Sequence, residues 1–136
     1  MFEVLEHTAD IGFRARGRTL AGLFESAAEA LVALALELED VSPRESYTLA
    51  AEGEDLESLL VNWLSEVLYW LDGKRVALRR FQVREIASSR VAAEGFGEPL
   101  DPSRHRAKLV VKGVTYHQLR IEQDEQGWVA EVFLDI

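Results

Sequence analysis

The sequence predicts an α+β fold in which two amphipathic helices pack on a largely antiparallel sheet, giving two layers. Two segments, 20–38 and 56–71, place apolar residues at the spacing of one helical face. The segments around them alternate apolar and polar residues, as half-buried strands do. The length of 136 residues fits one domain, which buries roughly two-thirds of its unfolded surface. With no cysteines, the chain excludes disulfides and thiolate zinc sites.

The N-terminal third predicts two short strands followed by a helix. Phe2 and Val4, and then Ile11, Phe13 and Ala15, alternate on either side of the polar segment "EHTAD". Thr19 is placed to cap a helix that extends to about residue 38. Its apolar positions fall on one face, and its glutamates fall mainly on the other.

A strand and a second helix follow. Tyr47, Leu49 and Ala51 alternate again and predict the strand. Asp55 is placed to cap the helix "LESLLVNWLSEVLYWL", and Gly73 is placed to end it. Two helices of this kind need a shared partner, which is most simply one face of a sheet.

The remainder predicts strands. We expect short strands at 76–78, 81–83 and 91–96, a hairpin of 116–121 and 128–134, and a turn "QDEQG" between the hairpin strands. The segment 95–105, "GFGEPLDPSRH", contains two of the three prolines and predicts a loop. His105 is therefore expected to face water.

Charge and motifs limit the function classes. The net charge is −9, with 24 acidic and 15 basic residues, which argues against direct nucleic-acid binding and favours a cation or a basic protein as partner. G-x-S-x-G, Walker and H-E-x-x-H motifs are absent. The opening "MFEVLEHTAD" does not resemble a signal peptide, and the apolar run 31–36 is too short for a membrane span. We therefore expect a cytoplasmic protein with no membrane partner.

Two aspartates at opposite ends of the chain predict a metal site. Asp10 lies between two strands, where its carboxylate also suits a turn aspartate that caps backbone N–H groups. Asp135 is followed only by Ile136 and its α-carboxylate. If the first and last strands meet, these three anionic groups gather, and a cation offsets their repulsion. Oxygen ligands select calcium, magnesium or manganese.

The histidines and one lysine have weaker signals. His7 and His117 each lie at a strand end, and a zinc site built from them and an aspartate is an alternative to ordinary hydrogen-bonded histidines. Lys112 precedes Gly113 in "VKGVTYHQL" and is either an exposed strand residue or a functional one. A small metal-dependent hydrolase would need a general base beside the ion, and His7 is the one nearby candidate.

Four ordered segments resemble the archease family. The opening "EHTADIGFRARGRTLAGLFESAAEALVALAL" is similar to that family's D-H-T-A-D signature and first helix. "DLESLLVNWLSEVLYWLD" resembles its second helix, "KGVTYHQL" its K-x-x-T-Y-H segment, and "VFLDI" its terminal D-[IV]. Glu6 stands where the family usually has aspartate, which keeps a carboxylate but adds a methylene.

The resemblance implies one archease domain over 1–136, with a strand-rich insertion at about 75–105. It implies a non-catalytic activator that promotes guanylylation and multiple turnover of the GTP-dependent, tRNA-splicing RNA ligase. It also implies Ca²⁺, or a similar divalent ion, at Asp10, Asp135 and Ile136, and an activating role for Lys112. Glu6, His7, Thr8 and His117 are candidates for positions around the ligands. The alternative is a chaperone-like partner of a tRNA-modifying methyltransferase.

Overall fold

The computed structural model describes residues 1–6, with only the backbone at Glu6, and residues 10–136. His7 and Thr8 therefore lie outside the described residues. The regular elements are, in order, β1 (Phe2–Glu6), β2 (Asp10–Gly17), α1 (Leu20–Ala35), β3 (Glu45–Glu52), α2 (Leu56–Asp72), β4 (Val76–Ile86), β5 (Arg90–Pro99), β6 (Gly113–Val114), β7 (Arg120–Asp124) and β8 (Gly127–Asp135).

The described strands form two antiparallel sheets. In the larger sheet, β1 pairs with β2, β2 pairs with β8, and both β6 and β7 pair with the other edge of β8. The smaller sheet has the order β3-β5-β4. The α+β class with two helices on antiparallel strands is confirmed, and the strands divide between two sheets rather than one.

The helices begin where the sequence predicts. The Thr19 side chain accepts a hydrogen bond from the Gly22 N–H at 3.0 Å, and Asp55 forms a reciprocal capping box with Ser58. Each cap satisfies N–H groups that the first turn leaves without a helical partner.

Helix α1 ends at Ala35, before the predicted 38. The segment around residues 106–108 lies against this end and supplies donors to its last carbonyls. The Lys108 N–H donates to the Ala35 carbonyl at 2.8 Å, and the Lys108 ammonium donates to the Ala33 carbonyl at 2.8 Å. Leu36 then pairs with Ala107 as an isolated β-bridge. This tertiary contact stops the helix.

The core lies between the helices and the inner faces of both sheets. Helix α1 contacts both sheets through β2 and β4, and α2 contacts β3 and β4. Trp63 on α2 is fully buried, and its ring meets Phe24 and Phe81 at centroid distances of 6.4 and 6.1 Å. Its indole N–H donates to the Phe24 carbonyl at 3.0 Å, so the buried polar atom is satisfied.

Several strand and loop predictions were wrong. The two strands expected at 76–78 and 81–83 are one strand, β4, with irregular register near Arg79 and Arg84. Residues 95–99 continue β5 instead of beginning a loop. Position 97 of this strand is a glycine because a Cβ there would lie 1.9 Å from the Ala77 carbonyl oxygen. Strand β7 starts only at Arg120, after a turn.

His105 is buried, which contradicts the expectation that it faces water. It is 3% exposed. The Asp101 N–H donates to its Nδ1 at 2.9 Å, so Nε2 carries the hydrogen and donates to Glu98 at 2.8 Å. Glu98, itself 1% exposed, also accepts from the Ser42 N–H and the Arg104 guanidinium. These donors lower the pKa of Glu98 to about 2, the Ser42 N–H contributing most.

No helix in the part of the chain that the structure describes is long and apolar enough to cross a membrane.

Candidate metal centre

The two aspartates lie directly opposite each other on neighbouring strands. Strands β2 and β8 pair along their whole length, and the register places Asp10 opposite Asp135. Residues opposite each other in an antiparallel pair project from the same face. Ile11, Phe13 and Ala15 are buried on the inner face, so Asp10 projects from the outer face, and Asp135 projects there with it. The two aspartates therefore meet as the sequence argument required, but the neighbour of the last strand is the second strand, β2, and not the first.

The backbone hydrogen bonds bring these two residues close. The Asp135 carbonyl accepts the Lys112 N–H at 2.8 Å, on the β6 side of β8. The backbone groups of one strand residue point to the same side, so those of Asp135 point away from β2. Asp10 and Asp135 thus form a non-hydrogen-bonded pair, in which Cα atoms are about 4.5 Å apart. Like charges in such a pair destabilise the sheet.

One Asp10 oxygen is buried without a hydrogen bond. Oδ1 of Asp10 is inaccessible to solvent and has no hydrogen-bond partner within residues 1–6 and 10–136. A buried carboxylate oxygen without a donor is costly, because it has lost water and gained nothing in exchange. Asp135, in contrast, is exposed. The pair therefore has one oxygen that lacks a positive partner and another carboxylate open to solvent.

The donor set fits a hard divalent cation. Carboxylate oxygens are ligands that Ca²⁺, Mg²⁺ and Mn²⁺ prefer, and a cation would offset both the repulsion and the orphaned oxygen. The described side chains contain no group of three or more His, Cys, Asp or Glu residues arranged to hold a metal. Asp10 and Asp135 supply two carboxylates. Ile136, which follows Asp135 directly and is 42% exposed, bears the third expected ligand group.

Lys112 lies at the same end of the sheet. Its backbone pairs with Asp135, and the next residue, Gly113, is the register partner of Asp135 on β6. A Cβ on Gly113 would meet no atom of residues 1–6 or 10–136 within 4 Å, so these residues leave the space beside Asp135 open. Lys112 is exposed, and its ammonium makes no ion pair or hydrogen bond with the described residues. The other two lysines do have partners: Lys74 lies over the Trp70 ring, and the Lys108 ammonium donates to the Ala33 carbonyl.

The four residues expected around the metal ligands were Glu6, His7, Thr8 and His117, and the structure describes the side chain of His117 alone among them. His117 is exposed, and its ring contacts Phe133 at a centroid distance of 6.3 Å, with no described contact to either aspartate. The His117 backbone N–H donates to the Thr115 hydroxyl at 3.2 Å. The backbone of Glu6 ends β1 opposite Ile11, and its side chain, like His7 and Thr8, is outside the described residues.

Three successive rows of side chains cross the outer face of the larger sheet, and sequence reasoning found only one of them. The ionic row contains Glu3, Arg14, Glu131 and Arg120. The apolar row contains Leu5, Gly12 and Phe133. The acidic row contains Asp10, Asp135 and Gly113. The period-two spacing shows which residues of one strand lie on the same face. Only the strand order and register show which residues of neighbouring strands lie in the same row.

The ionic row is fully paired. The Arg14 Nε donates to Glu131 at 2.7 Å, and its Nη1 donates to Glu3 at 3.1 Å. Arg120 lies 3.3 Å from the same Glu131 carboxylate. The hydrogen bond from Arg14 is the main reason that the pKa of Glu131 is lowered. Arginine thus offsets the carboxylates in this row, while the described residues of the acidic row include no cation.

Comparison with known proteins places the chain in a family. A family model described as "Archease protein family (MTH1598/TM1083)" matches residues 2–136. The chain belongs to the archease family. It is 41% identical to the protein archease of Methanosarcina mazei, covering 99% of this chain and 95% of that protein. It is 40% identical to that of Pyrococcus abyssi, covering 99% and 98%.

Solved structures of archease proteins share the fold. The solution structure of Methanobacterium thermoautotrophicum protein 1598 has a TM-score of 0.85 and 30% identity, covering 99% of this chain and 98% of that one. A Thermotoga maritima crystal structure, described as an archease and possible chaperone, has a TM-score of 0.62 and 23% identity, covering 97% and 94%. The family and the fold agree with the resemblance seen in the sequence.

Proposed function

We propose that the protein is a non-catalytic cofactor that binds a divalent cation, with Ca²⁺ the first choice and Mg²⁺ or Mn²⁺ the others. With that ion it activates a tRNA-splicing RNA ligase, promoting guanylylation and multiple turnover. The observation that carries the metal part is the buried, unpartnered Oδ1 of Asp10 opposite Asp135. The ligase part rests on the resemblance to archeases, and the family membership supports it. Such a partner implies a cytoplasmic location.

In this proposal, the residues of the acidic row hold the ion and present it at one end of the sheet. Asp10 and Asp135 supply carboxylates from two strands, and the Ile136 carboxylate is the third proposed ligand. The bound ion supplies positive charge that offsets the like-charge pair. The strands fix the Cα positions of both aspartates, so little ordering is needed when the ion binds.

The surrounding charges support a protein partner. The net charge of −9 favours association with a basic surface, such as that of an RNA-binding enzyme, over direct nucleic-acid binding. Lys112 provides one exposed, uncommitted cation beside the acidic row. We assign it to the contact with the ligase, where an anionic group is its natural partner.

A reconstituted guanylylation assay with the ligase tests this function. Asp10→Asn and Lys112→Ala should each reduce multiple-turnover guanylylation at least tenfold. Asp124→Asn is the matched control for the aspartate, because Asp124 ends β7 and is the register partner of Gly127, at the end of β8 opposite to Asp135. Lys74→Ala is the control for the lysine, because Lys74 lies over Trp70 on another part of the surface. Full activation by either test variant would refute the assigned role of that residue.

The second candidate is a chaperone-like partner of a tRNA methyltransferase. It is favoured by the description of the Thermotoga protein with this fold as a possible chaperone. Here the metal has only a structural role. Purified methyltransferase that binds the chain equally well with and without EDTA, together with a ligase that the chain leaves unaffected, would favour this function over the first.

A further inference from the structure

The two edges of the smaller sheet differ in how well they are protected. Strand β4 has register irregularities near Arg79 and Arg84, and a side-chain oxygen of Glu25 on α1 accepts its Val83 N–H at 2.8 Å. Bulges and coverage by a neighbouring element prevent an edge strand from pairing with another chain. Strand β3 pairs with β5 over eight residues without an irregularity, and its sequence "ESYTLAAE" contains no lysine or proline. The β3 edge therefore lacks these protections.

The free edge of β3 presents the backbone groups of three residues. The Gly53 N–H, just after β3, donates at 3.0 Å to the Ser89 carbonyl, just before β5. Because backbone groups alternate in direction along a strand, those of Ser46, Thr48 and Ala50 point away from β5. The part of the chain that the structure describes supplies no hydrogen-bond partner for these groups, and all three residues are exposed. They form an accessible row of donors and acceptors.

Helix α2 forms a wall beside this edge. The Asn62 side chain donates to the Glu52 carbonyl at 2.7 Å, so α2 reaches the side of β3 that faces away from β5. Tyr69 lies seven residues further along the helix, on the same stripe, and is 55% exposed. The Trp70 ring contacts the Tyr47 ring of β3 at a centroid distance of 5.3 Å. The edge therefore offers main-chain partners, and the helix beside it offers an exposed aromatic ring.

The position of α2 determines which kind of partner fits. Because α2 reaches the edge itself, a second copy of the chain paired through β3 would bring its own α2 to the same place. Packed helices need about 8–10 Å between their axes, whereas paired strands are only about 4.8 Å apart. A single extended segment carries no such helix and fits beside β3.

We propose that the β3 edge and the exposed stripe of α2 form a docking site for an extended segment of a partner protein. The segment adds to the smaller sheet as a fourth strand and pairs through its main chain with the three exposed residues of the edge. Its alternate side chains face α2, where an apolar or aromatic group contacts Tyr69. The site lies on the smaller sheet and is independent of the metal centre proposed on the larger one.

Peptides selected from a display library of random linear sequences, with the full chain as the target, test the edge. Their affinity should fall at least tenfold for Thr48→Pro, which removes an outward N–H but no hydrogen bond between β3 and β5. Thr48→Val keeps the N–H and should stay within twofold of wild type. Val4→Pro is the matched proline control, because Val4 is an exposed residue of the β1 edge whose backbone also points away from its sheet. Peptides that bind Thr48→Pro as well as wild type, or a library that yields no binder, would overturn the site.

Two further measurements test the wall and the main-chain pairing. Tyr69→Ala should lower the affinity at least threefold, and an unchanged affinity would exclude α2 from the site. N-methylation of single peptide amides needs no protein variant. It should weaken binding only at every second position, because alternate amides of an added strand face β3. An effect at every position, or at none, would contradict strand addition.

Sedimentation velocity distinguishes the partner segment from a second copy of the chain. The wild-type chain alone should be monomeric. A dimer that Thr48→Pro dissociates would show that a second copy occupies the edge, and it would refute the proposed partner segment.

Discussion

Glu98 and Asp10 are two carboxylates with buried oxygens and opposite surroundings. Glu98 accepts hydrogen bonds from a backbone N–H, an arginine and a histidine at 2.8 to 3.2 Å. Asp10 has a buried oxygen with no described partner, and its cross-strand neighbour is another aspartate. A satisfied carboxylate holds parts of the chain together, whereas an unsatisfied one beside a like charge weakens the fold unless a cation binds.

The position of each carboxylate agrees with this difference. Glu98 connects the end of β5 to Ser42 before β3 and to the turn that contains Arg104 and His105. Asp10 lies at one end of the larger sheet, beside the open space at Gly113 and the exposed Lys112. Glu98 therefore stabilises the architecture, and the surroundings of Asp10 support the cation-binding role that we propose for it.

The largest effect is expected from Glu98→Gln. The variant should lower the free energy of unfolding by about 3 kcal/mol, because it removes a charge from a network of buried donors. Urea denaturation measures this change. Glu94→Gln is the control: its partner Arg84 is half exposed, so the loss should be under about 0.5 kcal/mol. Equal losses for the two variants would show that burial and donor number do not govern the effect.

The pH dependence of stability should show the same network. The folded-state pKa of Glu98 is about 2 and its ordinary value is 4.5. Its contribution is therefore fully present above pH 4.5 and decreases as the pH falls towards 2. Wild type should lose stability more steeply than Glu98→Gln over this interval in denaturation experiments at successive pH values. Parallel curves would contradict the assigned pKa.

A smaller effect is expected in the ionic row. A double-mutant cycle of Arg14→Gln and Glu131→Gln should give a favourable coupling of about two- to fivefold in the unfolding equilibrium constant, typical of a cross-strand ion pair. The coupling should weaken in 1 M salt because both side chains are partly exposed. A coupling that salt leaves unchanged would indicate that packing, rather than charge, joins the two residues.

Local chemistry made much of the fold predictable. The caps at Thr19 and Asp55 could be predicted because each cap and its hydrogen-bond partner lie within four residues of each other in the sequence. The meeting of Asp10 and Asp135 was predicted from period-two alternation together with one assumption, that the first and last strands are neighbours, whereas the strand beside β8 is the second one, β2. That assumption needed the strand order, which alternation does not determine.

Tertiary contacts explain what the sequence did not predict. Gly97 was taken as a sign of a loop, but it is glycine because the Ala77 carbonyl approaches closely from the next strand. His105 was expected at the surface because it follows a Pro- and Gly-rich segment, yet Glu98 and the Asp101 N–H hold it inside. Phe133 lies against Gly12 because of a register between residues far apart in sequence. None of these contacts has a local signal.

The most direct test of the account compares Asp10→Asn with wild type, without metal and with it. In EDTA the variant should be the more stable by about 0.5 kcal/mol, because the like-charge pair is removed. At a Ca²⁺ concentration 100 times the dissociation constant, wild type should gain about 2.7 kcal/mol and become the more stable protein. Urea denaturation under both conditions measures this crossing. A variant that is less stable than wild type in EDTA, or a wild type that gains nothing from Ca²⁺, Mg²⁺ or Mn²⁺, would contradict the claim that this pair is kept for a cation.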